Sequence, residues 1–107
     1  MCAVISVFIK FIQAKLGSTA KLNCPYQADS GEIRWIKPYG NIKETYSDGQ
    51  DINKDLSPDL KERLTVKGRD LCISNVKKSD EGIYECLLLK PDEVPQGSQL
   101  KLVVVSA

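Results

Sequence analysis

The chain has 107 residues, the size of one domain, and residues 1–107 are treated as a single unit. Its 15 lysines and arginines nearly balance 14 aspartates and glutamates, so no basic surface for nucleic acid is expected. The absence of histidine removes the usual general base, the Ser/His and Cys/His nucleophile pairs and the commonest metal ligand. We therefore expect no catalytic residue, no metal and no cofactor.

The chain begins with an apolar run from Met1 to Ile9. This run fits either a first β-strand or the apolar part of a secretory leader. A strand is favoured, because Lys10 and Gln13 follow at once. On this interpretation Met1 is a start residue for expression, and any leader or membrane anchor lies in segments outside this chain. No run of about 18 apolar residues occurs, so no membrane-spanning helix is expected here.

Along the chain, short strands alternate with turns, and no helical pattern exceeds one or two turns. Residues 51–62 are polar and are expected to be irregular, and residues 76–82 can form one short helical turn. Regularly spaced short strands predict an all-β antiparallel sandwich. The predicted strands are 4–12, 20–24, 33–37, 42–46, 63–67, 71–73, 83–90 and 99–105.

The segment D-E-G-I-Y-E-C, residues 80–86, predicts a corner between two sheets. Tyr84 and Cys86 are two positions apart on a strand, so both side chains point into the core, where the tyrosine hydroxyl can bond to the corner backbone. Cys86 needs a partner on the facing sheet, and Cys24 lies on an alternating strand 62 positions earlier. A disulfide between them would contribute roughly 4 kcal/mol in the chain-entropy model, with Trp35 packed on the sulfurs.

A charged pair is expected at the same end of the sandwich. Arg63 opens a predicted strand there, and Asp80 begins the corner. The guanidinium and the carboxylate can therefore form a partly buried ion pair.

This combined pattern resembles the V-set of the immunoglobulin superfamily over essentially the whole chain. The resemblance implies an immunoglobulin-like V-type β-sandwich of two antiparallel sheets with Greek-key connections, as in vertebrate immune cell-surface receptors and co-receptors. The stretch between Trp35 and Arg63 leaves room for the C′ and C″ strands of a V-type domain. The residues that carry the resemblance are Cys24, Trp35, Arg63, Asp80, Gly82, Tyr84 and Cys86.

Two positions depart from the antibody-like members of the family. Pro95-Gln-Gly97 stands where those domains carry Gly-x-Gly, and Pro38 stands where they carry a glutamine. Both positions serve antibody-style pairing, so that dimer geometry is not expected. The loop from Leu87 to Gln96 is also short, which argues against a long antigen-reading loop.

The resemblance implies a protein-binding face on the sheet that contains strands G, F, C and C′. Because Trp35 and Cys86 face the core, alternation turns their neighbours outward in a stripe more apolar than a free sheet face requires. Tyr46 and Ile42 on the C′ strand would extend it. The alternative is that the F–G loop partly covers this stripe. The predicted partner-binding residues are Arg34, Ile36, Tyr46, Glu85, Leu87 and Leu89.

The remaining cysteines, Cys2 and Cys72, have no assigned role. None of the four cysteines forms a C-x-x-C pair, so a zinc site of ordinary spacing is absent, and an oxidising compartment is indicated. Cys72 lies between Leu71 and Ile73, which should face the core, so its thiol should face outward. Both cysteines could be free, bonded to each other or bonded to another molecule.

We expect the chain to be the extracellular ligand-recognition domain of an immune receptor or co-receptor at the plasma membrane. Its partner would be a protein on another cell, a co-receptor chain or a second copy of itself. One alternative is a homophilic or heterophilic cell-adhesion domain. Another, of a different class, is an intracellular structural immunoglobulin domain, which would leave Cys24 and Cys86 reduced and would lack a C″ segment.

Overall fold

The computed structural model describes residues 9–27 and 31–106. The all-β sandwich predicted from the sequence is confirmed in them, with two short helical segments. The helical segments are α1 (Pro58–Arg63) and a 3₁₀ turn at Lys78–Asp80. The strands are β1 (Lys10–Lys15), β2 (Ala20–Leu22), β3 (Glu32–Tyr39), β4 (Ile42–Asp48), β5 (Asp51–Ile52), β6 (Leu64–Lys67), β7 (Asp70–Ile73), β8 (Gly82–Leu89) and β9 (Gln96–Val105).

The strands form two sheets that enclose the core. The larger sheet has six strands in the order β1-β9-β8-β3-β4-β5, and the smaller has three in the order β2-β7-β6. The pairing of β3 with β8, which are distant in sequence, reflects Greek-key connections. Within the described residues the pairs are antiparallel except that of β1 with β9, which is parallel and was not part of the sequence prediction.

The segment between β4 and β6 is more regular than the sequence predicts. Residues 51–62, expected to be irregular, contain β5 and most of α1. Pro58 lies in the first turn of α1, where its missing N–H costs nothing, and Asp59 lies there too, where an acid is favourable. Arg63 belongs to the last turn of this helix instead of opening a strand, and β6 begins at Leu64.

Several strand ends also differ from the prediction. β3 continues through Pro38, which the sequence predicts as the start of a turn. Pro38 is tolerated because the pairing of β3 with β8 ends at Ile36, so β8 requires no hydrogen bond from its nitrogen. β9 begins earlier than expected, at Gln96. Of the predicted strand 4–12, residues 4–8 lie outside the described part of the chain.

The core lies between the two sheets and contains the predicted disulfide. Cys24 and Cys86 are bonded, with their Cα atoms 5.9 Å apart. Alternating apolar residues of both sheets surround them, each worth roughly 1.5–3 kcal/mol when its side chain is fully buried. The buried aliphatic residues nearest to complete burial are Leu22, Leu71, Ile73, Val76, Leu100 and Leu102.

Cys72 differs from its sequence prediction of an outward-facing surface thiol. It lies at the centre of the small sheet, opposite Lys21 of β2 and Thr65 of β6. Its side chain does alternate away from Leu71, but the residue is only 9% exposed because it lies on the middle strand, flanked by the side chains on both sides. Cys72 has no disulfide partner among the described residues, and Cys2 lies outside them.

Candidate functional site

Alternation along β3 and β8 fixes which residues face away from the core. Trp35 pairs with Cys86 across these strands, and both are fully buried. The Trp35 indole Nε1 donates a hydrogen bond to the carbonyl oxygen of Arg69 at 3.1 Å, which holds the ring in place. Arg34 and Leu87, one step away, pair with each other on the opposite side of the sheet. We call that side of the six-stranded sheet the outer face.

A buried polar network holds the end of β8 that carries the corner, called the lower end here. Nη1 and Nη2 of Arg63 lie 2.7 and 2.9 Å from Oδ2 and Oδ1 of Asp80, a bidentate ion pair. The Tyr84 hydroxyl donates to the carbonyl oxygen of Asp80 at 2.6 Å. The backbone N–H of Lys77 donates to the Asp80 carboxylate at 2.7 Å. These contacts fix the position from which β8 begins.

Lys37 belongs to this network and was missed by the sequence analysis. Its Nζ donates to the Tyr84 hydroxyl and to the Asp80 carbonyl oxygen, both at 3.1 Å, and lies 4.6 Å from the centroid of the Tyr84 ring. Burial lowers the pKa of Lys37, against the opposing effect of the Asp80 and Glu44 carboxylates. Its place two residues after Trp35 on a strand was a sufficient signal, since that spacing turns its side chain inward.

The centre of the outer face is formed by cross-strand pairs of β3 with β8. Arg34 lies opposite Leu87, and Glu32 lies opposite Leu89 at the other end of β8, called the upper end here. Leu87 and Leu89 are both half-buried. On the other side of β8, Leu87 lies opposite Gly97, where an added Cβ would meet the leucine side chain at 3.1 Å. The absence of a side chain at Gly97 therefore leaves room for Leu87 to lie flat across the sheet.

Ile36 contributes less exposed surface than the sequence predicts. It points outward, yet it is only 5% exposed. Ile36 lies opposite Glu85, and Nζ of Lys43 on the far side of β3 lies 3.9 Å from Oε1 of Glu85. Lys43 lies opposite Pro38, two residues beyond Ile36 on β3. The ion pair therefore crosses β3 beside Ile36. Ile36 thus supports the face from below and is not an exposed contact residue.

Tyr46 was predicted on the outer face, and this prediction is wrong. The register of β3 with β4 shifts between Trp35 and Ile36, which places a β-bulge at Tyr46. The extra residue reverses the alternation there and turns Tyr46 inward, where it is 2% exposed. Its ring packs edge-on against Tyr84 with centroids 5.7 Å apart, and its hydroxyl lies 3.1 Å from that of Tyr39. Burial raises the pKa of Tyr46, and the Tyr39 hydrogen bond adds to this.

Two apolar residues of the outer face were not identified from the sequence. Ile83 is half-buried opposite Lys101, and Phe11 on β1 also lies level with Lys101 and is 65% exposed. Phe11 could not be placed from the sequence, since its position depends on the parallel pairing of β1 with β9. Ile42, predicted to extend the stripe, is exposed but pairs with Tyr39 at the tip of the β3–β4 hairpin.

The described residues contain no arrangement that suggests a metal site. Among residues 9–27 and 31–106, no group of three or more His, Cys, Asp or Glu side chains could hold a metal ion. In the same part of the chain, no helix is both long and apolar enough to cross a membrane.

Comparison with known families gives one assignment. The profile described as Immunoglobulin V-set domain matches residues 10–105. A relative, the erythroid membrane-associated protein of Mus musculus, is 38% identical over 89 residues, which cover 68% of this chain and 15% of that protein. The neural cell adhesion molecule L1 of Takifugu rubripes is 34% identical over 91 residues, or 80% of this chain and 6% of that protein. The chain therefore spans a small fraction of the length of these relatives.

Solved structures share the fold. The chain superposes with a TM-score of 0.69, at 20% sequence identity, on a structure of the extracellular domain of the voltage-gated sodium channel beta4 subunit. That structure is described as one of a set of parallel homodimers. The match covers 99% of each chain. At this identity the likeness concerns the fold alone.

Proposed function

Because the chain belongs to the immunoglobulin V-set family, we propose that it is a protein-recognition domain of an extracellular, cell-surface protein, and that it binds through the outer face. The observation that carries this proposal is the half-buried apolar group of Ile83, Leu87 and Leu89 on that face. Branched apolar side chains on a solvated sheet face contribute little unless a partner covers them, and each can then contribute roughly 1–3 kcal/mol.

The surroundings of this apolar group support a binding role. Arg34, Glu85 and Lys43 border it, and among the described residues their ion pairs are long, 3.3 Å from Arg34 to Asp48 and 3.9 Å between Lys43 and Glu85. An apolar centre with a charged rim is the usual composition of a protein-binding site. Four of the six contact residues predicted from the sequence remain proposed contacts: Arg34, Glu85, Leu87 and Leu89. Ile36 lies beneath them.

An extracellular location is supported by the disulfide. The Cys24–Cys86 bond forms and persists in oxidising compartments, which favours this location over an intracellular structural domain. The segment β5, Asp51–Ile52, also lies where a C″ strand is expected, which the intracellular alternative would lack.

The finer assignment is an immune receptor or co-receptor, proposed on the V-type pattern of the sequence. Cell adhesion is the second candidate, and one observation favours it. A relative more than 30% identical over 80% of this chain is named a neural cell adhesion molecule. Both candidates require the same face and differ in the partner that it binds.

The test uses the multimerised domain as a probe of cells that each display one extracellular protein, including this chain. Leu87→Glu places a carboxylate in the apolar centre and should abolish binding to the partner found with the native domain. The matched control is Lys67→Glu on β6, an exposed residue of the opposite sheet. If Leu87→Glu binds as well as the control does, the outer face is not the binding site.

A further inference from the structure

Glu85 is an acidic residue near the centre of the outer face, and most of its side chain is buried. The side chain is 15% exposed, and it lies between two half-buried apolar residues of β8, Ile83 and Leu87. Its neighbours on the adjacent strands are Ile36 and Gln99. No residue in the described part of the chain donates a hydrogen bond to its carboxylate. Burial of a carboxylate without donors is unfavourable, because the protein does not replace the hydrogen bonds of water.

The cations around Glu85 do not supply the missing hydrogen bonds. Nζ of Lys43 lies 3.9 Å from Oε1 of Glu85, whereas an ammonium and a carboxylate that share a hydrogen bond are about 2.7–2.9 Å apart. The Lys43 side chain is 66% exposed and therefore well solvated. Arg34 directs Nη2 to Asp48 instead, at 3.3 Å. Lys101, on β9 toward the lower end, forms no ion pair with Glu85 in the structure as described.

Gly97 on β9 leaves one oxygen of this carboxylate open to a partner. A Cβ at Gly97 would lie 3.1 Å from Oε2 of Glu85 and 3.1 Å from the Leu87 side chain. The Gly97 carbonyl oxygen accepts a hydrogen bond from the Tyr26 hydroxyl at 2.8 Å, which holds the backbone in place. Because Gly97 has no side chain, none covers Oε2 at this position. A group of another molecule can therefore reach Oε2 from outside the sheet.

The other charges of the outer face do not select a partner, because both signs occur at each end. Asp48 lies beside Arg34 and Lys54 at the upper end, and Lys101 lies near Glu81 toward the lower end. Exposed charges of this kind remain solvated and contribute little to an interaction. Glu85 differs because it is already mostly removed from water. A partner that covers it without a donor would leave a buried, unpaired charge.

We propose that the partner of the outer face places an arginine side chain over Glu85, between Ile83 and Leu87, and pairs its guanidinium with the carboxylate. This inference rests on the proposed function and deepens it by naming the chemistry of the partner. A guanidinium presents a planar fork of donors that matches both carboxylate oxygens, and it is less strongly hydrated than an ammonium. It is therefore the cation best suited to an acid that lies between apolar side chains at the centre of an interface.

The test uses a library of disulfide-closed random peptides displayed on phage, selected on the whole immobilised chain with its disulfide intact. The peptides kept are those whose binding is lost with Leu87→Glu and retained with Lys67→Glu, so that they bind at the outer face. We expect an arginine at one position of these peptides. Glu85→Gln removes the charge at nearly constant size and should weaken their binding at least about tenfold. The matched control, Glu62→Gln at an exposed position of α1, should bind them as the native chain does.

A double-substitution cycle distinguishes direct contact from a structural effect of Glu85. Exchanging the peptide arginine for glutamine should weaken binding to the native chain at least about tenfold, but should change binding to Glu85→Gln by less than about twofold. Independent losses that multiply would overturn the pairing. Lys43→Ala removes an ammonium that competes for Glu85 and should tighten binding of the arginine peptides. Weaker binding would mean that Lys43 already serves this carboxylate, which would also overturn the proposal.

The outcomes separate this inference from the proposed function. A selection that yields no arginine-dependent peptide at the outer face rejects the inference. A displayed protein whose binding is lost with Leu87→Glu but unchanged by Glu85→Gln retains the outer face as the binding site and rejects the arginine contact. A displayed protein that binds both variants as well as it binds the native chain rejects both proposals.

Discussion

Side chains on the two sides of strands β3 and β8 differ in how fully they are buried and hydrogen-bonded. On the core side, Trp35 and Cys86 have no exposed surface. The Lys37 ammonium donates hydrogen bonds to the Tyr84 hydroxyl and to backbone carbonyl oxygens. On the outer face, Leu87 remains half-buried, and Arg34 makes one charged contact at 3.3 Å. The Nε of Arg34 is buried and has no acceptor among the described residues.

The difference separates stability from recognition along the same two strands. Core-side groups are desolvated and fully surrounded, so removing one leaves a cavity or an unpaired polar group. Outer-face groups are partly solvated and keep unused contact area. Substitutions one residue apart should therefore change different properties, and the following predictions test this separation from the largest expected effect to the smallest.

The largest effect is expected from Cys24→Ala, which removes the disulfide and leaves Trp35 without its packed sulfurs. The chain-entropy model gives a loss of about 4 kcal/mol in the free energy of unfolding, within the range of roughly 2–5 kcal/mol that is usual when a native disulfide is removed. Urea unfolding with and without reductant measures it. A domain whose unfolding midpoint is unchanged by reduction would contradict the role assigned to the bond.

Asp80→Asn should destabilise the domain by about 3 kcal/mol, because it leaves the Arg63 guanidinium buried without its bidentate acid. The matched control is Asp59→Asn, which removes a second carboxylate of Arg63 that is 59% exposed. That exposed contact should contribute no more than about 0.5 kcal/mol to the free energy of unfolding. Equal losses in chemical unfolding of the two variants would show that burial does not decide the strength of these pairs.

Alkaline pH should weaken the core side through Tyr46 and Tyr84. Burial raises the pKa of both hydroxyls above the ordinary value of about 10, so the folded chain retains protons that the unfolded chain loses. This stability is complete below pH 10 and is lost as the pH rises further, by on the order of 1 kcal/mol per tyrosine at pH 11. The lowered pKa of Lys37 acts in the opposite direction, but only up to its ordinary value of about 10.4.

Urea unfolding at pH 8 and pH 11 measures this loss, with Tyr46→Phe as the comparison. The variant lacks one of the two titrating hydroxyls and should lose less stability between the two pH values than the native chain. The same loss in both proteins would mean that Tyr46 does not contribute.

The smallest effect on stability is expected from Leu87→Glu on the outer face, a loss of about 1 kcal/mol or less, because the half-buried leucine gives up only part of its buried apolar area. Thermal unfolding of the native chain and the variant, both with the disulfide intact, measures this difference in stability. Its main effect should be on binding. A loss of stability comparable with that of Asp80→Asn would mean that the two sides of the strand are not separable in this way.

Much of this fold could be predicted from the sequence because the decisive signals are local. The two-residue spacing of Tyr84 and Cys86 turns both inward, and the corner residues place the tyrosine hydroxyl near the Asp80 carbonyl. Helix α1 was missed, because six residues without an apolar periodicity give little helical signal against a polar background. The membrane, immune and partner assignments remain proposals, since neither the sequence nor the fold names a ligand.

Sequence alternation by itself determined that Arg34, Glu85, Leu87 and Leu89 face away from the core, since the period of a strand is a local property. Tertiary structure decided how much of each residue is accessible. A bulge in β4 turned Tyr46 inward, an ion pair across β3 covered Ile36, and the central position of β7 enclosed Cys72. These outcomes depend on strand register and on neighbours distant in sequence.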